Sequence, residues 1–148
     1  WQQIVEFETI LVLCTGNICR SPMAEGLLKQ YFPDKKVLSA GLQGLVDYPA
    51  DEHAVDLMQE MEIDISAHRA QKVNTELLRQ ADLIFVMTKG QLKLVEKQWP
   101  FARGKTFLLG HWQHQEIPDP YQQPKGAFIY ARDMIVSGIK AWHEKLVG

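Results

Sequence analysis

Cys14 and Arg20 stand on either side of a five-residue segment. A cysteine thiolate is a strong nucleophile, and the planar fork of an arginine side chain matches two oxygens of a phosphate group at once. If the segment wraps around a bound anion, Arg20 holds the anion while the sulfur of Cys14 attacks its phosphorus atom. The two side chains therefore indicate phosphoryl transfer through a phosphocysteine intermediate, provided that the surrounding elements position them.

The segment between these two residues has the composition of a loop that binds an anion. It follows an apolar run and precedes a helical pattern, and a strand-to-helix loop points its backbone N–H groups into one concavity. Gly16 and Asn17 tolerate the positive φ that a tight wrap requires, and Pro22 suits the first position of a helix. The N–H groups, the helix terminus and Arg20 all favour the thiolate of Cys14. A buried, inert cysteine in an ordinary turn is the alternative, and this context disfavours it.

Short apolar runs and amphipathic patterns alternate along the chain. Strands are predicted at residues 9–13, 36–39, 83–87 and 106–109, and helices at 22–32, 52–61, 91–99 and 126–146, with a shorter helix starting near Asn74. This alternation predicts an α/β fold: one three-layer domain over residues 1–148, in which helices flank both faces of a four-stranded parallel sheet. Because Trp1 is an unusual first residue, we expect residues 1–8 to be a flexible or added segment.

Composition and charge exclude several classes of protein. The chain has 16 Lys plus Arg against 18 Asp plus Glu, a net charge of −2, so no nucleic-acid partner is expected. Its apolar runs are shorter than the ~18 residues of a membrane span, so no membrane insertion is expected. Cys14 and Cys19 are too close in sequence for a disulfide that stabilises the fold, which favours a cytoplasmic protein with reduced thiols. His111 and His114 lack companions for a metal site, and neither a metal nor another cofactor is expected.

Residues 14–25, with the sequence CTGNICRSPMAE, resemble the signature loop of the low-molecular-weight protein tyrosine phosphatases. Four further motifs follow in the order that this family shows: SAG at residues 39–41, SAHRAQ at 66–71, ADLI at 81–84 and DPY at 119–121. The resemblance therefore covers nearly the whole chain. It implies the family's fold and the metal-independent hydrolysis of phosphotyrosine in proteins.

The resemblance also implies catalytic roles. It makes Cys14 the nucleophile, Arg20 the ligand of the phosphoryl group and Asp119 the general acid. Chemistry independently requires such an acid, because a tyrosine leaves poorly unless its oxygen is protonated. The same carboxyl group would then deprotonate the attacking water. Without the resemblance, Asp119 and the proline that follows it would indicate only a turn.

Binding and supporting roles follow from the same resemblance. The residues expected to bind the phosphoryl group are Thr15, Gly16, Asn17, Ile18 and Cys19. Leu45 and Tyr121 are expected to form the walls around the tyrosine ring. Ser21 donates its hydroxyl to the thiolate in the family, although a serine here equally suits a helix cap. His68 joins Asn17 in the hydrogen bonds that hold the loop in shape.

Two features depart from the animal members of the family. Leu45 stands where those members often carry an aromatic residue, and Gln122 follows Tyr121 where they have a second tyrosine. Both features resemble the bacterial branch, whose partners include tyrosine autokinases that govern exopolysaccharide export. The branch therefore predicts a phosphotyrosine protein, such as an autokinase, as the substrate and inorganic phosphate as the product.

Two other functions and one redox role stay open. A thiol-dependent arsenate reductase shares the fold and the loop but needs further cysteines downstream, and none follows Cys19. A non-catalytic phosphotyrosine-binding module would need Arg20 but neither Cys14 nor Asp119, so the presence of both favours an enzyme. Cys19 itself matches a loop cysteine that bonds to the nucleophile under oxidation in the family, and a buried, inert thiol is the alternative.

Overall fold

A four-stranded parallel sheet forms the middle layer of the structure, a computed structural model that describes residues 7–43 and 45–147. The strands are β1 (Thr9–Cys14), β2 (Lys36–Gly41), β3 (Leu83–Val86) and β4 (Thr106–Leu108). The helices are α1 (Arg20–Tyr31), α2 (Glu52–Glu60), α3 (Thr75–Gln80), α4 (Lys89–Gln98) and α5 (Lys125–Val147). Two short 3₁₀ helices, Pro100–Lys105 and His111–Gln113, flank β4. This architecture confirms the predicted α/β class.

Helices cover both faces of the sheet because alternate strand residues point to opposite sides. On one side, Ile10 and Val12 of β1 belong to a core that α1, α2 and α5 complete. On the other side, Leu11 and Leu13 pack with apolar residues of α3, α4 and the first 3₁₀ helix. Strands that are buried on both faces are apolar throughout, which explains the continuous apolar runs in the sequence. The three predicted layers are therefore present.

β1 lies inside the sheet, whose strand order is β2-β1-β3-β4. The chain forms β2 on one side of β1 and β3 on the other, so the strand order changes direction at β1. Its last residue, Cys14, pairs in register with Gly41, the last residue of β2. Open α/β sheets bind ligands at the carboxyl ends of strands where such a switch occurs. The fold thus presents Cys14 at the position where a ligand site is expected.

Two helices begin two residues earlier than the sequence predicts. α1 begins at Arg20 rather than at residue 22, and Pro22 is its third residue. Proline is tolerated there because N–H groups of the first turn have no partner within the helix. α4 begins at Lys89 rather than at residue 91, because Thr88 and Gln91 form a capping box in which each side chain accepts from the backbone N–H of the other residue. The sequence pattern Thr-x-x-Gln at residues 88–91 is the signal for this earlier start of α4.

The beginning of the described chain is attached to the domain. The ring of Phe7 is buried and lies 5.7 Å from the ring of Phe32, centroid to centroid. The backbone N–H of Glu8 donates to the carboxylate of Asp82 at 2.8 Å. Phe7 and Glu8 thus belong to the fold, whereas residues 1–6 of the segment expected to be flexible or added lie outside the described residues.

The longest described helix is α5, with 23 residues. Its buried stripe faces the sheet and α1, and consists of Phe128, Ala131, Ile135, Gly138, Ile139 and Trp142. Polar residues occupy much of its other surface. Neither α5 nor any other helix in the described part of the chain has the length and apolar character needed to cross a bilayer.

Candidate active site

The loop that follows β1 wraps around the sulfur of Cys14, and we call residues 14–21 the anion loop. The side chain of Cys14 is buried, and its Sγ accepts a hydrogen bond from the N–H of Asn17 at 3.2 Å. The hydroxyl oxygen of Ser21 lies 3.0 Å from the same sulfur. That oxygen accepts from Asn17 Nδ2 at 2.7 Å, so its own proton is available for Cys14. Two donors thus face the sulfur, an arrangement that stabilises a negative charge there.

Asn17 holds the anion loop in shape from behind. It is completely buried and adopts the left-handed conformation, with φ at 61°. Besides Ser21, its Nδ2 donates to Ser39 Oγ at 3.0 Å, and its Oδ1 accepts from the N–H of Gln71 at 2.9 Å. His68 Nε2 donates to the carbonyl oxygen of Asn17 at 2.6 Å. Both Asn17 and His68 therefore take part in a hydrogen-bond network beneath the anion loop.

Arg20 closes the anion loop and joins it to a second loop. Its guanidinium is buried, and Nη1 donates to the carbonyl oxygen of Ile117 at 2.8 Å. Its Nη2 lies 3.6 Å from Asp119 Oδ2 and 3.4 Å from Thr15 Oγ1. The remaining nitrogen, Nε, is buried and has no hydrogen-bond partner within the described residues. A buried donor without a partner is costly, and an oxygen of a bound phosphoryl group would satisfy it.

Residues 117–121, which we call the acid loop, carry Asp119 and Tyr121. The side chain of Asp119 is 44 % exposed, and its Oδ1 accepts from the N–H of Tyr121 at 3.0 Å. Tyr121 is also exposed, at 38 %. The acid loop therefore brings a carboxyl group and an aromatic ring to the mouth of the site, and both are more exposed than the buried residues of the anion loop.

One cleft of about 260 Å³ joins the two loops. It is lined by Cys14, Thr15, Gly16, Ile18, Cys19, Gln43, Leu45, Asp119 and Tyr121. The cleft thus brings together most of the residues that the sequence predicts for the site. Of the other predicted residues, Arg20 lines a neighbouring cavity that Thr15 and Asp119 also line, and Asn17, Ser21 and His68 lie behind the loop. Gln43 lines the cleft without having been predicted.

Residues 9–147 match the sequence model of the family described as low molecular weight phosphotyrosine protein phosphatase. The chain belongs to this family. It is 52 % identical to the low molecular weight protein-tyrosine-phosphatase Ptp of Acinetobacter johnsonii, over 93 % of this chain and 97 % of that protein. The match confirms the resemblance seen in the sequence and makes this chain a member of a family of cysteine-dependent hydrolases.

Solved structures of tyrosine phosphatases share the fold of this low-molecular-weight phosphatase. Vibrio vulnificus Wzb in complex with benzylphosphonate superposes with a TM-score of 0.92 at 42 % identity, over 95 % of this chain and 100 % of that chain. The Erwinia amylovora tyrosine phosphatase AmsI gives a TM-score of 0.95 at 40 % identity, over 100 % of this chain and 99 % of that chain. The fold described above is therefore that of the family.

The second cysteine of this phosphatase, Cys19, differs from Cys14 in its surroundings. Burial raises the pKa of the Cys19 thiol well above its ordinary range, and the nearby carboxylate of Asp51 adds to the effect, while Arg20 opposes it. Cys19 therefore keeps its proton at neutral pH and does not compete with Cys14 as a nucleophile. Both cysteines are free and buried. Their pairing under oxidation stays a prediction.

Three residues behind the loop of this phosphatase were predicted only as parts of motifs, without roles. Ser39 accepts from Asn17 and donates to Glu25, and Gln71 Nε2 donates to the carbonyl oxygen of Ser39 at 2.9 Å. A Cβ atom at Gly41 would lie 2.8 Å from the carbonyl oxygen of Thr15, closer than such atoms approach. Gly41 thus lets the anion loop press against β2. The motifs that contain these residues were the available signal.

Two local expectations for the anion loop need correction. Ser21 does not cap α1, because the N-cap position is Cys19 and Ser21 is the second residue of the helix, with its hydroxyl directed at Cys14. Of the two residues expected to allow a positive φ, Asn17 adopts it and Gly16 does not. The side chain of Asn17 stabilises this conformation through the hydrogen bonds described above.

The histidines considered for a metal site lie away from the cleft of this phosphatase. The ring of His111 lies 4.7 Å from the ring of Trp112 and 5.7 Å from that of Trp142. Partial burial lowers the pKa of His111, and neighbouring His114 lowers it further. Within residues 7–43 and 45–147, no group of three or more His, Cys, Asp or Glu side chains is arranged to hold a metal ion.

Proposed function

We propose that this protein hydrolyses phosphotyrosine in proteins through a phosphocysteine intermediate. The observation that carries this proposal is the convergence of three groups: the sulfur of Cys14, the guanidinium of Arg20 and the carboxyl group of Asp119. Cys14 and Asp119 line one cleft, and Arg20 Nη2 lies 3.6 Å from the carboxylate. A nucleophile, an anion ligand and an acid are the three groups that hydrolysis of an aryl phosphate needs.

The anion loop supplies the binding step. The backbone N–H groups of the loop and the amino end of α1 stabilise the oxygens of the phosphoryl group. Arg20 adds two parallel hydrogen bonds, for which the buried Nε and the neighbouring Nη2 are suited. These donors are already in place before substrate arrives, so they stabilise the charge of the transition state without reorganisation.

Two displacement steps complete the reaction. Cys14 Sγ attacks phosphorus, the bond to the phenolic oxygen breaks, and Asp119 transfers its proton to that oxygen. Water then attacks the phosphocysteine while Asp119 accepts a proton from it. The bond between phosphorus and sulfur breaks, which releases inorganic phosphate and regenerates the Cys14 thiolate. Asp119 again carries its proton for the next turnover.

Leu45 and Tyr121 would select for an aromatic substrate. Both side chains line the cleft beside Cys14, one apolar and one aromatic. Aromatic rings pack favourably in offset or edge-to-face arrangements, so a phosphotyrosine ring gains energy between these walls. A phosphoserine has no ring to place between these walls, so it gains no such packing energy.

The physiological substrate that we propose is a tyrosine autokinase that controls exopolysaccharide export in bacteria. The support is the absence of a second tyrosine after Tyr121, where Gln122 stands, as in the bacterial branch that the sequence resembles. We further propose that the protein is cytoplasmic, since both thiols are free. Dephosphorylation of a purified autokinase, compared with a phosphotyrosine peptide, tests the first proposal.

The alternative functions lack supporting observations. An arsenate reductase of the thiol-dependent class would need a cysteine beyond Cys19, and the sequence has none. A phosphotyrosine-binding module would need neither the sulfur of Cys14 nor the carboxyl group of Asp119 in the cleft. We therefore propose no second function.

Hydrolysis of phenyl phosphate by the reduced protein, with a chelator present, tests the proposal. We expect wild-type activity to survive chelation and the Cys14→Ser variant to lose at least about 10⁴-fold in kcat while still binding phosphate. Cys19→Ser is the matched control, because it removes the other buried thiol of the same loop and should keep most of the activity. Inactive wild-type protein, or an active Cys14→Ser variant, would refute the proposed mechanism.

Peptide substrates test the selectivity for aromatic rings. Three peptides that differ only in carrying phosphotyrosine, phosphoserine or phosphoarginine are compared by kcat/KM. Phosphoarginine is the informative control, because its side chain is about as long as that of phosphotyrosine but carries no aromatic ring. We expect a clear preference for phosphotyrosine over both other peptides, and equal rates on phosphotyrosine and phosphoarginine would argue against ring recognition by Leu45 and Tyr121.

A further inference from the structure

The hydroxyl group of Thr15 lies between two side chains that can only donate to it. Its Oγ1 is 3.4 Å from Arg20 Nη2 and 3.2 Å from Gln91 Nε2. A threonine hydroxyl accepts two hydrogen bonds and donates one. Both acceptor positions are therefore filled from the protein, and no acceptor in residues 7–43 or 45–147 receives the proton.

The amide orientation of Gln91 follows from its other hydrogen bonds. Gln91 Oε1 accepts from the N–H of Met87 at 2.8 Å and from the N–H of Thr88 at 3.2 Å. Because backbone N–H groups only donate, this end of the amide is the oxygen, and the end that faces Thr15 is the nitrogen. Gln91 is buried in the first turn of α4, so its position is fixed by the helix cap.

Thr15 lines two cavities, and Gln91, which donates to its hydroxyl, lines one of them. A second cavity of about 380 Å³ lies beside the catalytic cleft, and Thr15 and Asp119 line both. Gln91 lines only the second cavity, whereas Cys14 lines only the cleft. Arg20, the other donor to the hydroxyl, also lines the second cavity and not the cleft, whereas Thr15 itself lines both. With both acceptor positions filled by donors that line the second cavity, the remaining proton can be donated to an anion bound in the cleft.

The geometry points to the side-chain hydroxyl of Thr15 as a ligand of the phosphoryl group in addition to the backbone N–H groups of the anion loop, with Gln91 as the residue that positions it. A bound phosphoryl group brings anionic oxygens to a donor that otherwise has no acceptor, and hydrogen bonds to charged acceptors are the strong ones. Arg20, the proposed phosphoryl ligand, contacts the same hydroxyl. The kinetic side of this inference rests on the proposed function, whereas the phosphate-binding side does not.

Substitutions of Thr15 test the hydroxyl directly. Thr15→Val keeps the shape of the side chain and removes the hydroxyl, whereas Thr15→Ser keeps the hydroxyl. We measure the Kd of inorganic phosphate by calorimetry and kcat/KM with phenyl phosphate. Thr15→Val should weaken phosphate binding about tenfold, as expected for one hydrogen bond to a charged group, and Thr15→Ser should stay within about threefold of wild type. A Thr15→Val protein within about twofold of wild type, or a Thr15→Ser protein as weak as Thr15→Val, would overturn the inference.

A double-mutant cycle tests the role of Gln91. Gln91→Glu keeps the acceptor oxygen of the helix cap and removes the N–H that faces Thr15. Made in the wild-type and in the Thr15→Val background, it introduces the same charge twice, so the effect of charge on phosphate cancels in the comparison. We expect Gln91→Glu to weaken phosphate binding about fivefold more in the wild-type background, because only there does it act through the hydroxyl. Equal effects in the two backgrounds would remove Gln91 from the positioning role.

One control tests whether the effect at Gln91 is specific, and two outcomes separate this inference from the proposed function. Gln98→Glu places the same charge on an exposed position of α4 and should leave phosphate binding unchanged, which supports a specific effect at Gln91. If wild-type protein binds phosphate but hydrolyses nothing, the proposed function fails, and the Kd values still decide the role of Thr15. If hydrolysis is normal and Thr15→Val binds phosphate as wild type does, the inference alone fails.

Discussion

The anion loop and the acid loop face each other across one cleft, yet they are held in different ways. Asn17, Arg20 and Ser21 are buried and bonded on several sides, whereas Asp119 and Tyr121 are 44 % and 38 % exposed, by side chain and by whole residue respectively. The phosphoryl group is the same in every substrate, so a fixed cradle suits it. The leaving group is part of a substrate protein, which must bind and dissociate in every turnover, so it contacts the more exposed acid loop.

The largest effect is expected from Asn17→Ala, which should destabilise the anion loop, the more buried of the two loops. The change removes three side-chain hydrogen bonds, leaves buried partners unsatisfied and places alanine at a φ of 61°. We expect the free energy of unfolding in urea to fall by about 3 kcal/mol. Asn74→Ala is the matched control, because it removes one exposed cap of α3 and should cost about 1 kcal/mol. Equal losses would mean that the anion loop is no more fixed than an ordinary helix cap.

The next effect concerns Asp119 and should depend on the leaving group. Asp119→Ala removes the proton donor, so phenyl phosphate, whose phenol leaves poorly, should lose about 10²-fold in kcat/KM. With p-nitrophenyl phosphate, whose leaving group needs little protonation, the loss should be about tenfold or less. Asp133→Ala, at the exposed partner of Arg132 on α5, is the control and should change neither rate. Equal losses on both substrates would remove Asp119 from the acid role.

The smallest effect is expected from Tyr121→Leu. This change removes the ring that borders the cleft and keeps an apolar side chain of moderate size. We expect KM for a phosphotyrosine peptide to rise about threefold to tenfold, the range of one aromatic contact, while the Kd of inorganic phosphate stays unchanged. Tyr130→Leu changes an exposed tyrosine of α5 and serves as the control. A parallel loss of phosphate affinity would mean that the acid loop, like the anion loop, contributes to phosphate binding.

The sequence predicts the fold better than it predicts the contacts that hold the site residues in position. The strands were predicted correctly because burial on both faces makes them apolar throughout. Cys14, Arg20 and Asp119 were singled out as nucleophile, phosphoryl ligand and acid because their residue types carry that chemistry, and these roles stay predictions. Gly41 and the bond between Gln91 and Thr15 could not be predicted in this way. They depend on which segments lie next to each other after folding, because residue 15 follows β1 and residue 91 lies in the first turn of α4.

The starts of α1 and α4 were each misplaced by two residues for a more local reason. At α1, Pro22 suggests the first helical position, but a proline fits elsewhere in the first turn too, and the structure places it third. At α4, the capping box of Thr88 and Gln91 stands in the sequence as Thr-x-x-Gln, and the apolar periodicity begins only after it. Periodicity therefore locates the body of a helix and leaves its first turn to capping signals.

The bond from Arg20 to the carbonyl oxygen of Ile117 ends on the main chain rather than on a side chain. Every amino acid supplies that carbonyl, so no substitution at position 117 deletes the acceptor. In evolutionary terms, point mutations in the acid loop do not remove the acceptor of the hydrogen bond that joins the two loops. Residues around Asp119 can diverge to suit new partners while the acid stays within reach of the guanidinium.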